Sequence, residues 1–210
     1  MIARHPTAGK GWLLALMAAT LQAETLRVAT YNLENYGSTN RMTDSDFRLN
    51  YPKPEAQKAA LRQVIRGLNA DVLILQEMGT QSYLDELCRD LAVDGVRFSR
   101  VALAEAGDEA RHLAVLSRRP LIDLQVHRDL EFAYLGGTER VKRGMIEATV
   151  SGEGGPVTVF GVHLKSRLTE RPEDPASSVR RAAEATAIRE RIRARVGAGA
   201  VKRFIVVGDC

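Results

Sequence analysis

The stretch Val72-Leu73-Ile74-Leu75-Gln76-Glu77 decides the fold. Its four leading residues are all apolar, with no polar residue alternating between them. A strand without alternation is covered on both faces, so helices or a second sheet must lie on each side of it. Packing in the core does not explain a carboxylate at Glu77, directly after such a strand. The alternative explanation is that Glu77 caps the next helix. We therefore predict a central strand that is followed by a residue with a ligand-binding side chain.

Three other segments have the same design, an apolar strand followed by a polar side chain. They are Ala29-Thr30-Tyr31-Asn32-Leu33-Glu34-Asn35, Phe160-Gly161-Val162-His163-Leu164-Lys165-Ser166 and Val206-Val207-Gly208-Asp209-Cys210. Strand ends are where α/β sheets place their ligands, so the four polar side chains could meet in one cleft. An amide, two carboxylates and an imidazole suit a hard cation and a phosphate rather than zinc.

Taken in this order, the four segments resemble the endonuclease/exonuclease/phosphatase superfamily, the DNase I-like metal-dependent phosphodiesterases and phosphatases. The resemblance spans Leu26 to Cys210. It implies an α/β fold, a four-layer sandwich of two mixed β-sheets flanked by helices and incomplete at the C-terminus. It also implies a Mg²⁺-dependent phosphoric ester hydrolase, with Mn²⁺ or Ca²⁺ as alternative cofactors. DNA is the expected substrate, and a phospholipid or inositol phosphate is the alternative.

On the metal side, the resemblance assigns three residues. Glu77 resembles the magnesium ligand, and Asn32 supports the carboxylate and the metal by hydrogen bonding. Glu34 matches a position where some relatives keep an acidic residue near the metal and others do not. By itself, Asn32 could equally be an ordinary turn residue at a strand end.

On the phosphate side, Asp209 resembles the carboxylate that orients or deprotonates the attacking water. His163 resembles the histidine that contacts the phosphate and assists the leaving oxygen, although a lone His ending a buried strand is often a core residue. Arg143, before Gly144, resembles a phosphate-binding arginine. Arg140 or Lys142 could fill that place instead.

Elements that follow the Gly-Asp turn in the family, an Asn, a later Asp and a final Asp-His pair, do not occur before Cys210. We therefore expect a fragment whose strand 204–207 leaves an apolar edge, and which has no activity when expressed without the rest of the protein. A non-catalytic binding module of the same fold is the rival interpretation.

The N-terminus has the pattern of a secretory signal peptide. A basic start (Arg4, His5, Lys10) precedes an apolar run at 12–21 and a small-residue site at Leu21-Gln22-Ala23. Cleavage after Ala23 leaves one domain at 24–210, exported to the periplasm or the extracellular space and without membrane contact. The alternative is a membrane anchor, but the run is shorter than the roughly 20 residues that a bilayer span needs. N-terminal sequencing of the recovered protein tests this.

Composition adds little about partners. The net charge is +4, a small excess that does not by itself indicate nucleic acid, and no stable protein partner is evident. An exported chain with two cysteines, Cys88 and Cys210, must be held by its core rather than by disulfides. Cys88 shares a helical stripe with leucines, which favours a packed free thiol.

Local patterns predict most elements. We expect strands at 26–31, 71–76, 97–103, 112–117, 121–127, 145–150, 157–163 and 204–207, of which 145–150 and 157–163 form a hairpin. Helices are expected from Pro54 to Asn69, at 81–91 and at 176–196, the last with Ala185, Ile188, Ile192 and Val196 on one face. Residues 37–53 read as a long loop, and the stretch through Gly136-Gly137 as irregular.

Overall fold

The structure is a computed structural model that describes residues 25–43, 46–169 and 171–210. The predicted signal peptide, residues 1–23, lies outside the described residues. Among the described residues, no helix is both long enough and apolar enough to cross a membrane.

The described residues form twelve strands and three α-helices. In chain order they are β1 (Val28–Tyr36), β2 (Thr39–Met42), β3 (Phe47–Tyr51), α1 (Glu55–Leu68), β4 (Val72–Met78), α2 (Gln81–Val93), β5 (Arg100–Ala104), β6 (His112–Ser117), β7 (Leu121–His127), β8 (Glu131–Tyr134), β9 (Gly137–Arg140), β10 (Met145–Val150), β11 (Val157–His163), α3 (Ser178–Gly197) and β12 (Phe204–Asp209). A short 3₁₀ turn, Pro175–Ser177, precedes α3.

Two four-stranded mixed sheets face each other. One has the order β1-β4-β6-β5, with β1 and β4 parallel, and the other has the order β12-β11-β10-β7, with β11 and β12 parallel. Helices α1 and α2 pack on the outer face of the first sheet, and α3 packs on the outer face of the second. The predicted four-layer α/β sandwich is confirmed.

Strand β4 is covered on both faces, as its sequence predicts. Leu73 and Leu75 pack against α1 and α2, whereas Val72 and Ile74 face the second sheet. All four side chains are fully buried, and burying such a side chain contributes about 1.5–3 kcal/mol. A Cβ at Gly161 would lie 2.7 Å from Cγ2 of Ile74, so the two sheets are in close contact behind the strand ends.

Two predicted irregular stretches are in fact hairpins. The expected loop at 37–53 contains β2 and β3, in which Arg41 donates hydrogen bonds to the backbone oxygens of Asn35, Gly37 and Tyr51. The stretch around Gly136 is the tight turn between β8 and β9. Both predictions were wrong because very short strands carry little hydrophobic alternation, and the pairing is decided by contacts made elsewhere.

The helices have nearly the predicted bounds, but the buried face of α3 differs from the prediction. Helix α1 begins after Pro54 and ends at Asn69, which adopts the left-handed conformation. In α3, Ile188 and Ile192 are buried as expected. Ala185 and Val196 are exposed instead, and the buried face continues through Glu184, whose carboxylate accepts a hydrogen bond from the backbone of the segment after β11.

Cys88 is a free thiol packed against the core beneath α2, as predicted. Burial raises its pKa to about 11, and nearby Asp85 adds to the shift. The thiol is therefore unreactive near neutral pH.

Candidate functional site

The polar strand ends of the two sheets meet at one edge of the sandwich. Asn32 Nδ2 donates a hydrogen bond of 2.7 Å to Asp209 Oδ2, which joins the middle of β1, where its regular pairing with β4 stops, to the end of β12. Asp209 lies opposite His163 in the β11–β12 ladder. Nε2 of His163 lies 3.9 Å from Oε1 of Glu77 at the end of β4. All four predicted residues therefore lie together.

The backbone around Glu77 is irregular. Glu77 has φ of 57°, and Glu34 and Asn35 on the neighbouring strand have φ of 50° and 60°. The β1–β4 register shifts at the same point, and such bulges re-aim side chains next to active sites. Left-handed non-glycine residues cost about 1–3 kcal/mol each. The hydrogen bond of 2.9 Å from the Asn35 N–H to Glu77 Oε2 holds the carboxylate in this conformation.

Asn32 holds Asp209 in place. Its Oδ1 accepts a 2.8 Å hydrogen bond from the backbone N–H of Glu34. A backbone N–H can only donate, so this contact fixes which end of the amide carries the oxygen. The NH₂ group then faces Asp209. Both ends of the Asn32 amide are hydrogen-bonded, so the effect of Asn32 on the site is to orient Asp209.

A cleft of about 730 Å³ opens beside these residues. Of the predicted residues, Glu77, His163 and Arg143 line it, while Asn32 and Asp209 lie beyond its lining. Glu34 is exposed and also lies outside it. The polar lining residues are Asn35, Glu77, Asp108, Glu109, Arg111, Lys142, Arg143, His163, Lys165 and Ser166.

Arg143 is the buried cation of this cleft. Its Nε forms an ion pair at 2.9 Å with Asp108 Oδ2 that lacks hydrogen-bond geometry, and in the described part of the chain neither Nε nor Nη1 has a hydrogen-bond partner. Buried guanidinium donors are normally satisfied, so the free Nη1 donor suits an anionic group of a ligand. Lys142 lines the same cleft from an exposed position, whereas Arg140 bonds to Glu131.

Asp108 is ionised by its surroundings. Burial opposes its charge, but Arg143, two backbone N–H donors at Ala110 and Arg111, and the Arg111 charge outweigh it, so the pKa of Asp108 lies below its usual value. The carboxylate is thus a fixed counter-ion that holds Arg143 in the cleft.

Asp108→Asn is expected to lower the free energy of unfolding at neutral pH, and this difference from wild type should shrink in acid. The pKa is lower in the folded state, so the charge stabilises the fold fully above the unfolded value of about 3.9. That contribution is lost as the pH falls through the folded pKa. Urea unfolding of both proteins across acidic to neutral pH measures it, with exposed Asp123→Asn as control. A difference that stays constant down to the lowest pH would contradict the assignment.

His163 is buried, and burial is the main reason that its pKa is lowered. The charge of Arg143 lowers it further, while Glu77, Asp209 and Asp108 oppose the shift. Within the described residues Nδ1 has no hydrogen-bond partner. At neutral pH the imidazole is therefore uncharged, which suits a hydrogen-bond donor to an oxyanion better than a permanent cation.

Sequence reasoning missed several lining residues. Asn35 lies in the first of the four segments and Lys165 follows His163 in another, but the sequence predicts a role for neither. Asp108 and Arg111 belong to the polar connection between β5 and β6, and Arg111 Nε donates a 2.7 Å hydrogen bond to Asn35 Oδ1. The charged residues of this connection, among them Asp108 and Arg111, are the local signal that could have indicated it.

The donor set fits a divalent cation that keeps most of its water. In the residues that the structure covers, no group of three or more His, Cys, Asp or Glu side chains is arranged to hold a metal. Mg²⁺ is commonly bound through one or two carboxylates while it keeps several waters. Glu77 supplies one such carboxylate at the cleft, so it is the residue that would hold the ion.

The family of the chain follows from its sequence. Residues 29–210 match the model of the Endonuclease/Exonuclease/phosphatase family, so the chain belongs to this family. Its members are phosphodiesterase and nuclease hydrolases that typically depend on a divalent metal. A comparison with curated proteins gives no match.

Solved structures share the fold at low identity. A β-hairpin deletion mutant of beta toxin from Staphylococcus aureus is 17% identical with a TM-score of 0.58, over 88% of this chain and 66% of that one. Sphingomyelinase C from Streptomyces griseocarneus is 18% identical with a TM-score of 0.54, over 88% and 63%. D. rerio TDP2 complexed with single strand DNA product is 15% identical with a TM-score of 0.51, over 87% and 58%. The chain thus spans less than two thirds of the length of each.

Proposed function

We propose that the protein containing this chain is a Mg²⁺-dependent phosphodiesterase that hydrolyses DNA. One observation carries the proposal. Strands β1, β4, β11 and β12 bring Asn32, Glu77, His163 and Asp209 to one edge of the sandwich, and buried Arg143 lines the adjoining cleft with His163 and Glu77. The carboxylate of Glu77, which can bind a hard cation, therefore lies in the same cleft as the guanidinium of Arg143, which can bind a phosphate.

Each side chain has a role that its environment supports. Arg143 would bind the scissile phosphate through its free donor, and neutral His163 would donate a hydrogen bond to an oxygen of the same group. Asp209, oriented by Asn32, would position the attacking water. A Mg²⁺ ion bound at Glu77 would supply Lewis-acid stabilisation of charge that develops on the phosphate oxygens.

The charges of the cleft support a polyanionic substrate. Its lining carries four cations, Arg111, Lys142, Arg143 and Lys165, against the three carboxylates Glu77, Asp108 and Glu109, and an excess of cations attracts phosphate backbones. The similar fold of D. rerio TDP2, solved with a single strand DNA product, agrees with this substrate class.

The direct test is hydrolysis of supercoiled plasmid DNA by the gene product that contains this chain. We expect nicking that EDTA abolishes and that added Mg²⁺ restores. His163→Ala should lose turnover with less effect on the Mg²⁺ concentration needed for half-maximal activity. Nicking that persists in EDTA would overturn the proposed mechanism.

A phospholipid phosphodiesterase is the second candidate. Hairpin β2–β3 exposes Met42, Phe47 and Leu49 by 71%, 55% and 68%, and it is joined to the cleft-lining Asn35 through Arg41. Exposed apolar patches mark interaction surfaces, including membranes. Release of phosphocholine from sphingomyelin vesicles, with plasmid DNA left intact, would favour this function over the first.

A further inference from the structure

A second basic pocket adjoins the cleft. Its volume is about 530 Å³, and Gly107 and Lys142 line both cavities. Arg128 and Arg140 line the second pocket but not the first. Gly107, which lines both cavities, has no side chain that could obstruct an extended ligand there.

Close packing builds this pocket. Gly144 has φ of 63°, and a Cβ there would lie 2.6 Å from the backbone oxygen of His127 and 3.3 Å from Cβ of Ala106. The turn before β10, the end of β7 and the segment at 106–107 are therefore in close contact. This contact brings Arg128, the residue after β7, to the same pocket as Lys142.

The charge of the second pocket is positive and only partly neutralised. Its lining includes four Arg or Lys side chains and two Glu side chains. Arg180 and Arg140 are paired with glutamates. Arg128 and Lys142 are exposed, and no ion pair to either is found in the described part of the chain.

We propose that the second pocket binds a phosphate that neighbours the scissile one, with Arg128 and Lys142 as its cations. The substrate is then a nucleic acid strand that passes from one cavity to the other at Gly107. This inference rests on the proposed function, since it takes the cleft as the site of cleavage. A lipid phosphodiester has a single phosphate there and would leave the second pocket empty.

The test is binding of fluorescent thymidine oligonucleotides in EDTA, which prevents cleavage. A dinucleotide offers one phosphodiester, enough for the cleft, whereas an octanucleotide reaches both pockets. The test variant is Arg128→Gln, because Arg128 lines only the second pocket whereas Lys142 also lines the cleft. The control is Arg66→Gln, which removes the same charge from an exposed position outside both pockets. Thermal unfolding of each variant verifies its fold.

We expect the Arg128→Gln variant to bind the octanucleotide about fivefold more weakly at low salt, with the dinucleotide affinity unchanged. The slope of log affinity against log salt should fall by about 0.7 for each cation removed. The control should change neither. If the test variant binds the octanucleotide like the control, the second subsite is overturned while dinucleotide binding leaves the proposed function standing. If neither oligonucleotide binds and sphingomyelin vesicles are hydrolysed, both proposals are overturned.

Discussion

Glu77→Gln is expected to lower turnover of the gene product by about 10² to 10³-fold while leaving the fold intact. The change is nearly isosteric, and the amide oxygen can still accept the hydrogen bond from the Asn35 N–H. The negative charge beside His163 is lost, and with it the carboxylate that would hold the cation. Mg²⁺ binding should weaken together with turnover.

Steady-state kinetics over a Mg²⁺ titration measure this effect, and isothermal titration calorimetry measures the binding of the metal without substrate. Glu153→Gln is a matched control, because Glu153 is exposed in the turn between β10 and β11. A Glu77→Gln protein with the turnover and Mg²⁺ requirement of wild type would refute the assignment of this carboxylate.

Gly208→Ala is expected to lower the free energy of unfolding by at least about 2 kcal/mol. Gly208 has φ of 154°, and a Cβ there would lie 2.0 Å from the backbone oxygen of Val162. Val162 is its partner in the parallel β11–β12 ladder. The clash is with backbone, so relief requires the two strands to separate. That movement would also displace Asp209 from Asn32.

Urea unfolding of the 210-residue chain checks this prediction, and Gly67→Ala supplies the opposite expectation. Gly67 lies near the end of α1, and a Cβ there would meet nothing within 4 Å. Alanine in a helix is favoured over glycine by about 0.5–1 kcal/mol, so this variant should be more stable than wild type. If Gly208→Ala and Gly67→Ala had equal stability, the backbone clash at β12 would be ruled out.

The amino-acid sequence predicted those helices, strands and turns whose pattern is contained within their own residues. The unbroken apolar run of β4 predicted a strand covered on both faces, and its two faces indeed contact the helices and the second sheet. Pro54 and Asn69 marked the bounds of α1. The glycine-rich turn at 152–155 marked the β10–β11 hairpin. The apolar run, the residues that bound the helix and the turn residues are each contained in a short stretch of the chain. The sequence therefore shows them directly.

The apolar runs in the sequence also pointed to the four candidates that follow them, Asn32, Glu77, His163 and Asp209, although β1 continues past Asn32 to Tyr36. The sequence could not determine how they meet. Asn32 and Asp209 are separated by 177 positions, and their hydrogen bond exists only because the two sheets face each other. The register of β11 and β12 then places Asp209 opposite His163.

Only the tertiary structure decided the rest of the site. The left-handed backbone at Glu77 is a conformation that non-glycine residues avoid when isolated, and it persists because Asn35 bonds to its carboxylate. Asp108 became part of the site through its contact with Arg143, 35 positions from it in the numbering of the chain. Neither contact leaves a periodic signal, because each joins irregular segments whose positions are set by the packing of the sheets around them.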